Sequence, residues 1–322
     1  MRAIRFARTG GPDVLDLVEV DKPQPKPGQV LLRHEAIGIN FIDTYLRSGL
    51  YPTKLPSIPG GEAAGVVEAV GEGVARFKMG DRAAAAGLAG GYADYSVVSA
   101  DRAVAIPAGI DARTAAAALL KGMTSEFLLR RLHRVEAGET LLIHAAAGGV
   151  GQIMVQWAKA LGAVVIATVG SEAKAARVRQ LGADHVILYR EQDVAAEVRR
   201  ITDGAGVPVA YDSVGKDTFE GTLGSLARRG LFVSFGNASG PPPAVEAGRL
   251  MRSGSLFFTR PTLGDYQAST AELDASAGAL FALILSGKIE IEIGQTFPLV
   301  EARRAHEALE SRATSGSSLL IP

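Results

Sequence analysis

The chain has 322 residues, enough for two domains, and 47% of them are hydrophobic, enough for a core in each. Lysine and arginine total 34, and so do aspartate and glutamate, so no charge excess favours nucleic acid or an anionic membrane. The absence of cysteine excludes disulfides and thiolate metal ligands. No apolar run reaches membrane-spanning length and the N-terminus lacks the apolar core of a signal peptide, so we expect a cytoplasmic protein.

The first part of the chain, up to about residue 106, is predicted to be rich in β-strands. Short apolar runs alternate there with glycine and proline turns, a pattern typical of a compact barrel-like domain. The predicted strands are 30–36, 65–70, the two arms of 70–82, and 92–98. A helix is predicted from Asp111, its N-cap, to Leu120, and a second helix is predicted to begin at 121–124.

From Thr140 onward, strands and helices alternate, which predicts a parallel sheet covered on both faces. The predicted strands are 140–143, 164–169, 185–188, 209–211, 230–234 and 255–259. The helices between them are predicted from Val150 and at 174–181, 194–201 and 219–227. The tail has helical patterns at 272–286 and 300–310 and a short strand at 318–321, and we expect it to return to the first domain.

The segment TLLIHAAAGGVG, residues 140–151, carries the clearest functional signal. It reads as a buried strand, a turn of small residues and the start of a helix, which is the first half of a dinucleotide-binding unit. Glycine lets backbone approach a pyrophosphate closely, and the N–H groups at the helix start then face that anion. Gly148 and Gly151 keep two places of the usual three-glycine pattern, whereas Ala146 stands in the first.

The end of the next predicted strand bears on the choice of cofactor. Units that bind NAD place an acid there, about 20 residues past the glycines, where it accepts hydrogen bonds from the ribose hydroxyls. Here the strand ends in Gly170 and Ser171, and Lys174 follows in the first turn of the next helix. A serine cap and a lysine suit a 2′-phosphate, and Tyr189 at the end of the following strand is placed to flank the adenosine. The sequence therefore favours NADPH.

Six segments together resemble the zinc-free, zeta-crystallin-like quinone oxidoreductases of the medium-chain dehydrogenase/reductase superfamily. These segments are AIGINFIDTYLRSGLYP (36–52), GEAAGVVEAVGEGVARFKMGDR (61–82), HAAAGGVGQIMVQWAKALGA (144–163), YDSVG (211–215), SFGNASG (234–240) and ESRATSGSSLLIP (310–322). The resemblance implies an α/β fold, with a Rossmann-type doubly wound parallel sheet domain and a β-rich, barrel-like (GroES-like) catalytic domain. It implies a catalytic domain at 1–122, a dinucleotide-binding domain at 123–261 and a return segment at 262–322, with NADPH bound in the cleft between the domains.

The resemblance also implies a set of site residues. Asn40, Tyr45 and Tyr51 are implied beside the nicotinamide and the substrate. The implied cofactor-binding residues are Phe41, Thr124, Phe127, Gly148, Gly149, Val150, Gly170, Ser171, Lys174, Tyr189, Val214, Phe235, Gly236, Asn237, Ala238, Ser239, Phe258, Thr259, Arg260 and Arg312. Other readings of single residues stay open, since Asn40 is also a turn former and either tyrosine is also a packing residue. We expect His144 and Asp43 to be structural.

No metal site is predicted. Zinc-dependent members of the superfamily use a cysteine and a histidine where this chain has Asn40 and Gly61. Zinc requires about four nitrogen, sulfur or oxygen ligands in tetrahedral array, and the sequence offers no such set.

The resemblance implies reduction of a small-molecule quinone by NADPH, by hydride or electron transfer and without zinc. A second possibility is reduction of an activated alkene such as an enal or an enoyl thioester, for which Tyr45 or Tyr51 is a candidate proton donor. A third is a non-catalytic structural or RNA-binding role with bound NADPH, which the neutral charge disfavours. A homodimer is predicted because the apolar run 255–258 is expected at a sheet edge, which natural proteins cover.

Overall fold

A computed structural model describes residues 1–322, which divide into two compact units. The first unit contains Met1–Met123 and Gln267–Pro322, and the second contains Thr124–Tyr266. The domain borders after 122 and 261 remain a proposal from the sequence. Tyr266 belongs with the second unit because its ring stacks on Phe127, with centroids 4.4 Å apart, and its carbonyl accepts a 2.6 Å hydrogen bond from Arg131.

The strands and helices are numbered in chain order. The strands are β1 (Arg2–Arg5), β2 (Asp16–Glu19), β3 (Gln29–Ile39), β4 (Glu62–Val70), β5 (Arg82–Ala86), β6 (Tyr95–Ser99), β7 (Ala103–Ala105), β8 (Thr140–Ile143), β9 (Val164–Val169), β10 (His185–Leu188), β11 (Val207–Asp212), β12 (Leu226–Ser234), β13 (Phe257–Thr259), β14 (Ile293–Pro298) and β15 (Ser317–Ile321). The α-helices are α1 (Phe41–Ser48), α2 (Ala112–Phe127), α3 (Gly149–Ala160), α4 (Glu172–Gln180), α5 (Val194–Ile201), α6 (Phe219–Ser225), α7 (Ala247–Arg252), α8 (Thr270–Leu285) and α9 (Ala302–Glu310).

The first unit is built on a seven-stranded sheet with the order β14-β15-β3-β4-β5-β7, in which β6 also pairs with β3. All its pairs are antiparallel except β14 with β15. Alternate residues along the strands point to the same face of the sheet, and this face is buried by apolar side chains such as Val30, Leu32 and Val67. Strand β15 pairs with β3 through Ser318 opposite Ile39, so the tail returns to the first unit, as predicted.

The second unit is a six-stranded sheet with the order β10-β9-β8-β11-β12-β13. Every neighbouring pair is parallel, and this order is that of the doubly wound dinucleotide-binding fold. Leu141, Leu142 and Ile143 of β8 are completely buried at the centre of the sheet, as expected for a parallel strand covered on both faces. The strand order reverses between β8 and β11, which places the favoured ligand crevice at their carboxyl ends.

The predicted helix break at 121–124 is wrong, because α2 continues from Ala112 to Phe127. Gly122 supports packing rather than a break: a Cβ atom there would lie 2.3 Å from the Leu280 side chain, so only glycine lets α8 approach this closely. A π-helical turn, Leu128–Leu132, follows α2 directly. The N-cap prediction is confirmed, since Asp111 Oδ1 accepts a hydrogen bond of 2.7 Å from the Thr114 amide.

Other differences concern element ends and elements without a clear pattern. The strand predicted at 92–98 is β6 and begins at Tyr95, because the Tyr92 amide bonds the Pro59 carbonyl in a turn instead of a ladder. Residues 71–81 form the connection between β4 and β5. Helix α6 ends at Ser225 and β12 already begins at Leu226. Helices α1 and α7 and strands β1, β2, β5, β7 and β14 were not predicted.

Candidate functional site

The glycine turn between β8 and α3 is a close-packed backbone loop. Ala145 has a left-handed φ of 49°, and its carbonyl accepts a hydrogen bond of 2.9 Å from the Gly148 amide. A Cβ atom on Gly151 would lie 2.4 Å from that carbonyl oxygen and 2.6 Å from the Ala146 Cα, so only glycine fits this position. The loop places the N-terminus of the 12-residue helix α3 at the point where the strand order reverses. Such a helix N-terminus suits a pyrophosphate.

A buried carboxylate shapes the neighbouring loop, at the end of β11. Asp212 is completely buried, and its Oδ1 accepts hydrogen bonds from the amides of Val214 at 2.7 Å and Gly215 at 3.0 Å. Its Oδ2 accepts a bond of 2.7 Å from the Thr218 hydroxyl. Asp212 lies in the YDSVG segment but was given no role from the sequence, and the structure shows that it fixes the loop carrying Val214.

His144 is joined to this carboxylate through a buried hydroxyl. Its Nδ1 lies 3.0 Å from the Thr168 Oγ1 and its Nε2 lies 2.9 Å from the Thr222 Oγ1. The Thr222 hydroxyl also faces Asp212 Oδ2 and the Thr218 carbonyl, which only accept, so we assign the imidazole hydrogen to Nε2. Burial lowers the pKa of His144 and favours the neutral ring. Both ring nitrogens are engaged within the protein, which confirms the structural role predicted for this residue.

The ends of β9 and β10 bring together the residues predicted for the adenosine side. Ser171 caps α4, with its hydroxyl 3.5 Å from the Lys174 amide. A Cβ atom on Gly170 would lie 2.8 Å from the Tyr189 hydroxyl and 3.3 Å from Arg190 Nε, so both side chains reach this turn. Burial and the charge of Arg190 lower the pKa of Lys174. Arg190 was missed from the sequence, although a basic residue next to Tyr189 was a usable signal.

The loops after β11 and β12 are bonded to each other. The amide and hydroxyl of Ser239 both donate to the Val214 carbonyl, at 2.8 Å and 2.9 Å. A Cβ atom on Gly236 would lie 2.3 Å from the Ser213 carbonyl oxygen, and Arg260 donates to the Gly236 carbonyl at 3.1 Å. The structure therefore brings Val214, Gly236, Ser239 and Arg260 together at the carboxyl ends of β11 to β13. Three more predicted residues lie in the same loop: Phe235, Asn237 and Ala238.

Four other predicted residues of the second unit lie on α2 and β13. The ring of Phe127 is buried against Tyr266, and Thr124 lies one helical turn before it in α2. The ring of Phe258 packs into the core with its centroid 5.1 Å from that of Phe232. Thr259 ends β13 at the sheet edge. For the two phenylalanines, the observed contacts are those of core residues.

In the first unit, Asn40 is held by a buried ion pair. Its Nδ2 donates to Glu62 Oε2 at 2.9 Å, and Lys121 Nζ donates to the same oxygen at 2.9 Å. The Leu120 amide donates to Glu62 Oε1 at 2.6 Å. Glu62 is completely buried and Lys121 nearly so, which makes the pair costly to break from either side. The pair was not foreseen, because the partners are distant in sequence.

The aromatic residues predicted for the substrate side cluster around α1. Tyr45 and Tyr51 meet edge to face, with centroids 5.4 Å apart and planes at 66°, and the Phe41 ring lies 6.3 Å from that of Tyr45. The Tyr51 amide donates to the Tyr45 carbonyl at 3.0 Å, which holds the chain after α1 against the helix. Arg312 lies in the turn after α9 with a left-handed φ of 58°.

Helix α1 is anchored by a series of buried polar side chains that contact one another. Asp43 Oδ2 accepts hydrogen bonds from the Asn40 amide at 2.9 Å and from the Tyr92 hydroxyl at 3.1 Å, and that hydroxyl lies 3.0 Å from His306 Nε2. Burial raises the pKa of Asp43 to about 6 and lowers the pKa of His306 to about 3. The structural role predicted for Asp43 is confirmed.

Comparison with known proteins gives matches over the full chain. The alcohol dehydrogenase GroES-like domain matches residues 26–108, and the zinc-binding dehydrogenase domain matches 149–273. A quinone oxidoreductase of Pseudomonas aeruginosa is 52% identical over 323 residues, covering 100% of this chain and 99% of the relative. The chain belongs to the quinone oxidoreductase family of the medium-chain dehydrogenase/reductase superfamily.

Two further members show the range of this family. The solved structure of Escherichia coli quinone oxidoreductase complexed with NADPH matches with a TM-score of 0.98 at 50% identity, covering 100% of both chains. A 2-haloacrylate reductase of a Burkholderia species is 44% identical over 325 residues, covering 98% of this chain and 97% of the relative. The predicted family, the fold class and the prediction of an oxidoreductase are confirmed.

One of the two matching family domains is described as that of a zinc-binding dehydrogenase. No group of three or more histidine, cysteine, aspartate or glutamate side chains is arranged to hold a metal ion. No helix is long and apolar enough to cross a membrane.

Proposed function

We propose that the protein catalyses the NADPH-dependent reduction of quinones and does so without a metal ion. The observation that carries the proposal is full-length identity of about one half to relatives named quinone oxidoreductase, one of which was solved with NADPH. Fold alone would not support it, because similar folds host many reactions. A cytoplasmic location remains a prediction from the sequence.

The phosphate-binding part of the proposal rests on the glycine turn. Gly148, Gly149 and Val150 begin α3, and the close approach at Gly151 keeps side chains out of the turn. The amide groups at the start of α3 are proposed to hold the pyrophosphate, which the helix dipole favours. This backbone fits the cofactor because the contacts it needs come from N–H groups.

The adenosine-binding part rests on Gly170, Ser171, Lys174 and Tyr189. A 2′-phosphate needs positive charge and hydrogen-bond donors, and a lysine ammonium and a serine hydroxyl supply both. Arg312 is proposed as a further contact, on the resemblance alone. These residues explain a preference for NADPH over NADH, because an acid at position 170 would repel the phosphate.

The nicotinamide and substrate parts are proposed from the remaining residues. Val214, Phe235–Ser239, Thr259 and Arg260 are proposed to position the nicotinamide. Asn40 and Phe41 are proposed as further contacts, on the family resemblance alone. Thr124, Phe127 and Phe258 are proposed to support these residues through packing. Tyr45 and Tyr51 are proposed to hold the flat quinone ring through their own rings.

The proposed reaction requires little direct chemistry from the side chains. NADPH, when bound, supplies a hydride, so the quinone gains two electrons and becomes a hydroquinone anion, which takes one proton from water. Aromatic rings orient the acceptor and exclude water, and a weakly basic product oxygen needs no dedicated acid. The Glu62–Lys121 ion pair is proposed to keep the Asn40 amide in one orientation.

A second candidate reaction is the reduction of an activated alkene. It is favoured by the 2-haloacrylate reductase, whose identity to this chain extends over nearly its whole length. That reaction places a proton on carbon, for which the hydroxyl of Tyr45 or Tyr51 is a candidate donor. A non-catalytic RNA-binding role has only the family resemblance behind it, because the charge is neutral.

The two reactions are separated by following NADPH oxidation with a panel of short quinones and, in parallel, a panel of enals and haloacrylates. We expect turnover with quinones and at most weak turnover with alkenes. Turnover of alkenes alone would replace the proposal by its alternative, and no turnover with either panel would refute both.

We also propose a homodimer. Strand β13 lies at the edge of the parallel sheet, and the Phe257 side chain there is 61% exposed. An apolar edge strand invites pairing with the same strand of a second copy.

A further inference from the structure

The carboxyl ends of β9 and β10 lie side by side in the second unit. The two strands are parallel neighbours, with Val169 opposite Leu188, so the residues that follow them emerge at the same sheet edge. Gly170 and Ser171 follow β9, and Tyr189 and Arg190 follow β10. A side chain from either turn therefore reaches the other.

The side chains of Tyr189 and Arg190 occupy the space in front of Gly170. A Cβ atom on Gly170 would be 3.3 Å from Arg190 Nε and 2.8 Å from the Tyr189 hydroxyl, closer than side-chain carbons normally lie. An acid of the kind found in NAD-binding units would crowd both groups. The missing acid at this position is thus matched by a guanidinium group in its place.

Arg190 also acts on Lys174 through its charge. The proximity of the two cations lowers the pKa of Lys174, in addition to the effect of partial burial. Like charges brought together repel, and the repulsion is relieved when a dianion binds beside both. A phosphate monoester with a charge near −2 suits such a pair, and guanidinium adds a planar, two-pronged donor that lysine lacks.

We propose that Arg190 is a specificity-determining residue that binds the 2′-phosphate of NADPH together with Lys174. The proposal deepens the proposed function and rests on it for the identity of the cofactor. It adds a residue to those inferred from the sequence, and it explains Gly170 as the residue that makes room for the Tyr189 hydroxyl and the Arg190 guanidinium group.

The test compares the wild-type protein with Arg190→Ala, Arg190→Lys and a control, Arg200→Ala. Arg200 is a surface arginine of α5 in the same unit, paired with Glu197, so its loss removes a charge without touching the turn. Binding is measured by calorimetry with adenosine 2′,5′-bisphosphate, which carries the 2′-phosphate, and with adenosine 5′-monophosphate (AMP), which lacks only that group. Binding requires no turnover, so the result does not depend on which substrate the enzyme reduces.

We expect Arg190→Ala to weaken binding of adenosine 2′,5′-bisphosphate about tenfold and to change AMP binding less than about twofold. The affinity of Arg190→Lys for the bisphosphate should lie between those of the wild type and Arg190→Ala, because lysine keeps the charge but lacks the two-pronged guanidinium donor. Added salt should weaken bisphosphate binding less steeply in Arg190→Ala than in wild type.

Equal effects of Arg190→Ala on both ligands, or an effect no larger than that of Arg200→Ala, would overturn the assignment of Arg190. Equal wild-type affinity for the two ligands would instead contradict the NADPH preference itself. Absence of quinone turnover by the wild-type protein, with its selectivity for the bisphosphate intact, would refute the proposed reaction but not the assignment of Arg190. Thermal unfolding of each variant identifies any general loss of folding, and Arg190→Lys keeps the test valid if Arg190→Ala unfolds.

Discussion

The hydroxyl groups of Tyr45 and Tyr51 separate the two candidate reactions at the scale of single residues. Their rings touch each other, so either ring can orient a flat acceptor by packing. A hydroquinone anion is protonated by water, whereas an alkene reduced by hydride needs a proton delivered to carbon. Removing each hydroxyl while keeping the ring therefore distinguishes orientation from acid catalysis.

We expect Tyr45→Phe and Tyr51→Phe each to lower the rate of quinone reduction by less than about tenfold, or about 1.4 kcal/mol. Loss of a proton donor would instead cost about 10²–10⁴-fold. The measurement is NADPH oxidation with a short quinone. Tyr95→Phe in β6 is the control, because that ring contacts Lys22 at the surface. A hundredfold loss in either test variant would contradict the positioning role.

The residues that the sequence identified are those whose role depends on local backbone. Gly148, Ser171 and Lys174 lie at turns that follow predicted strands, so pattern and spacing were sufficient to propose them. The Glu62–Lys121 pair was not predictable, because it joins residues distant in sequence through burial. Arg190 required knowing that the turns after β9 and β10 face each other.

At the scale of elements, the strand–turn–helix unit from β8 to α3 depends on backbone contact at Gly151. A methyl group there would meet the Ala145 carbonyl and the Ala146 backbone, neither of which is free to move like a side chain. The turn would have to open, and the amides proposed to hold the pyrophosphate would move with it.

We expect Gly151→Ala to destabilise the protein by about 1–3 kcal/mol, the usual cost of overpacking, and to weaken NADPH binding at least about tenfold. The matched control is Gly221→Ala in α6, where the added methyl would meet Val194 at an ordinary 3.4 Å. Chemical denaturation and cofactor fluorescence report the two effects. If Gly151→Ala matches the control in both stability and NADPH binding, the proposed role of the close contact at Gly151 is wrong.

The predictions of strands and helices were correct where the hydrophobic periodicity was strong, and wrong where tertiary contacts determined the local structure. Strands β9 and β10 and helix α5 have the predicted bounds, because each is a clear apolar or amphipathic run between turn residues. The false break in α2 was placed at 121–124, where Gly122 is instead a packing contact with Leu280. Helix α1 was missed within a segment noticed only for its resemblance.

For the whole molecule, the exposed edge of the parallel sheet is the feature that predicts assembly. Phe257 in β13 and Met251 in α7 are 61% and 64% exposed, unusual for large apolar side chains. We expect a dimer by light scattering at micromolar concentration and mostly monomer for Phe257→Lys. Val300→Lys, at an exposed apolar residue of the first unit, should leave the dimer intact. A monomeric wild-type protein would contradict the homodimer proposal.

The fold class and the return of the tail were predictable because they follow from alternation of strands and helices and from the change in pattern at each end. The pairing of β15 with β3 was not predictable in register, since it depends on contacts between the two ends of the chain. The cofactor residues from the end of β11 to Arg260 came from family resemblance, and their mutual hydrogen bonds became visible only in the structure.

The central claim is NADPH-dependent quinone reduction without a metal ion. It is tested most directly by measuring kcat/KM for a short quinone with NADPH and with NADH, on protein extensively treated with a chelator and analysed for metal. We expect full activity without stoichiometric metal, and a preference for NADPH of at least about tenfold from its charge-assisted phosphate contacts. Activity that disappears on chelation and returns with zinc, or equal kcat/KM with both cofactors, would contradict the claim.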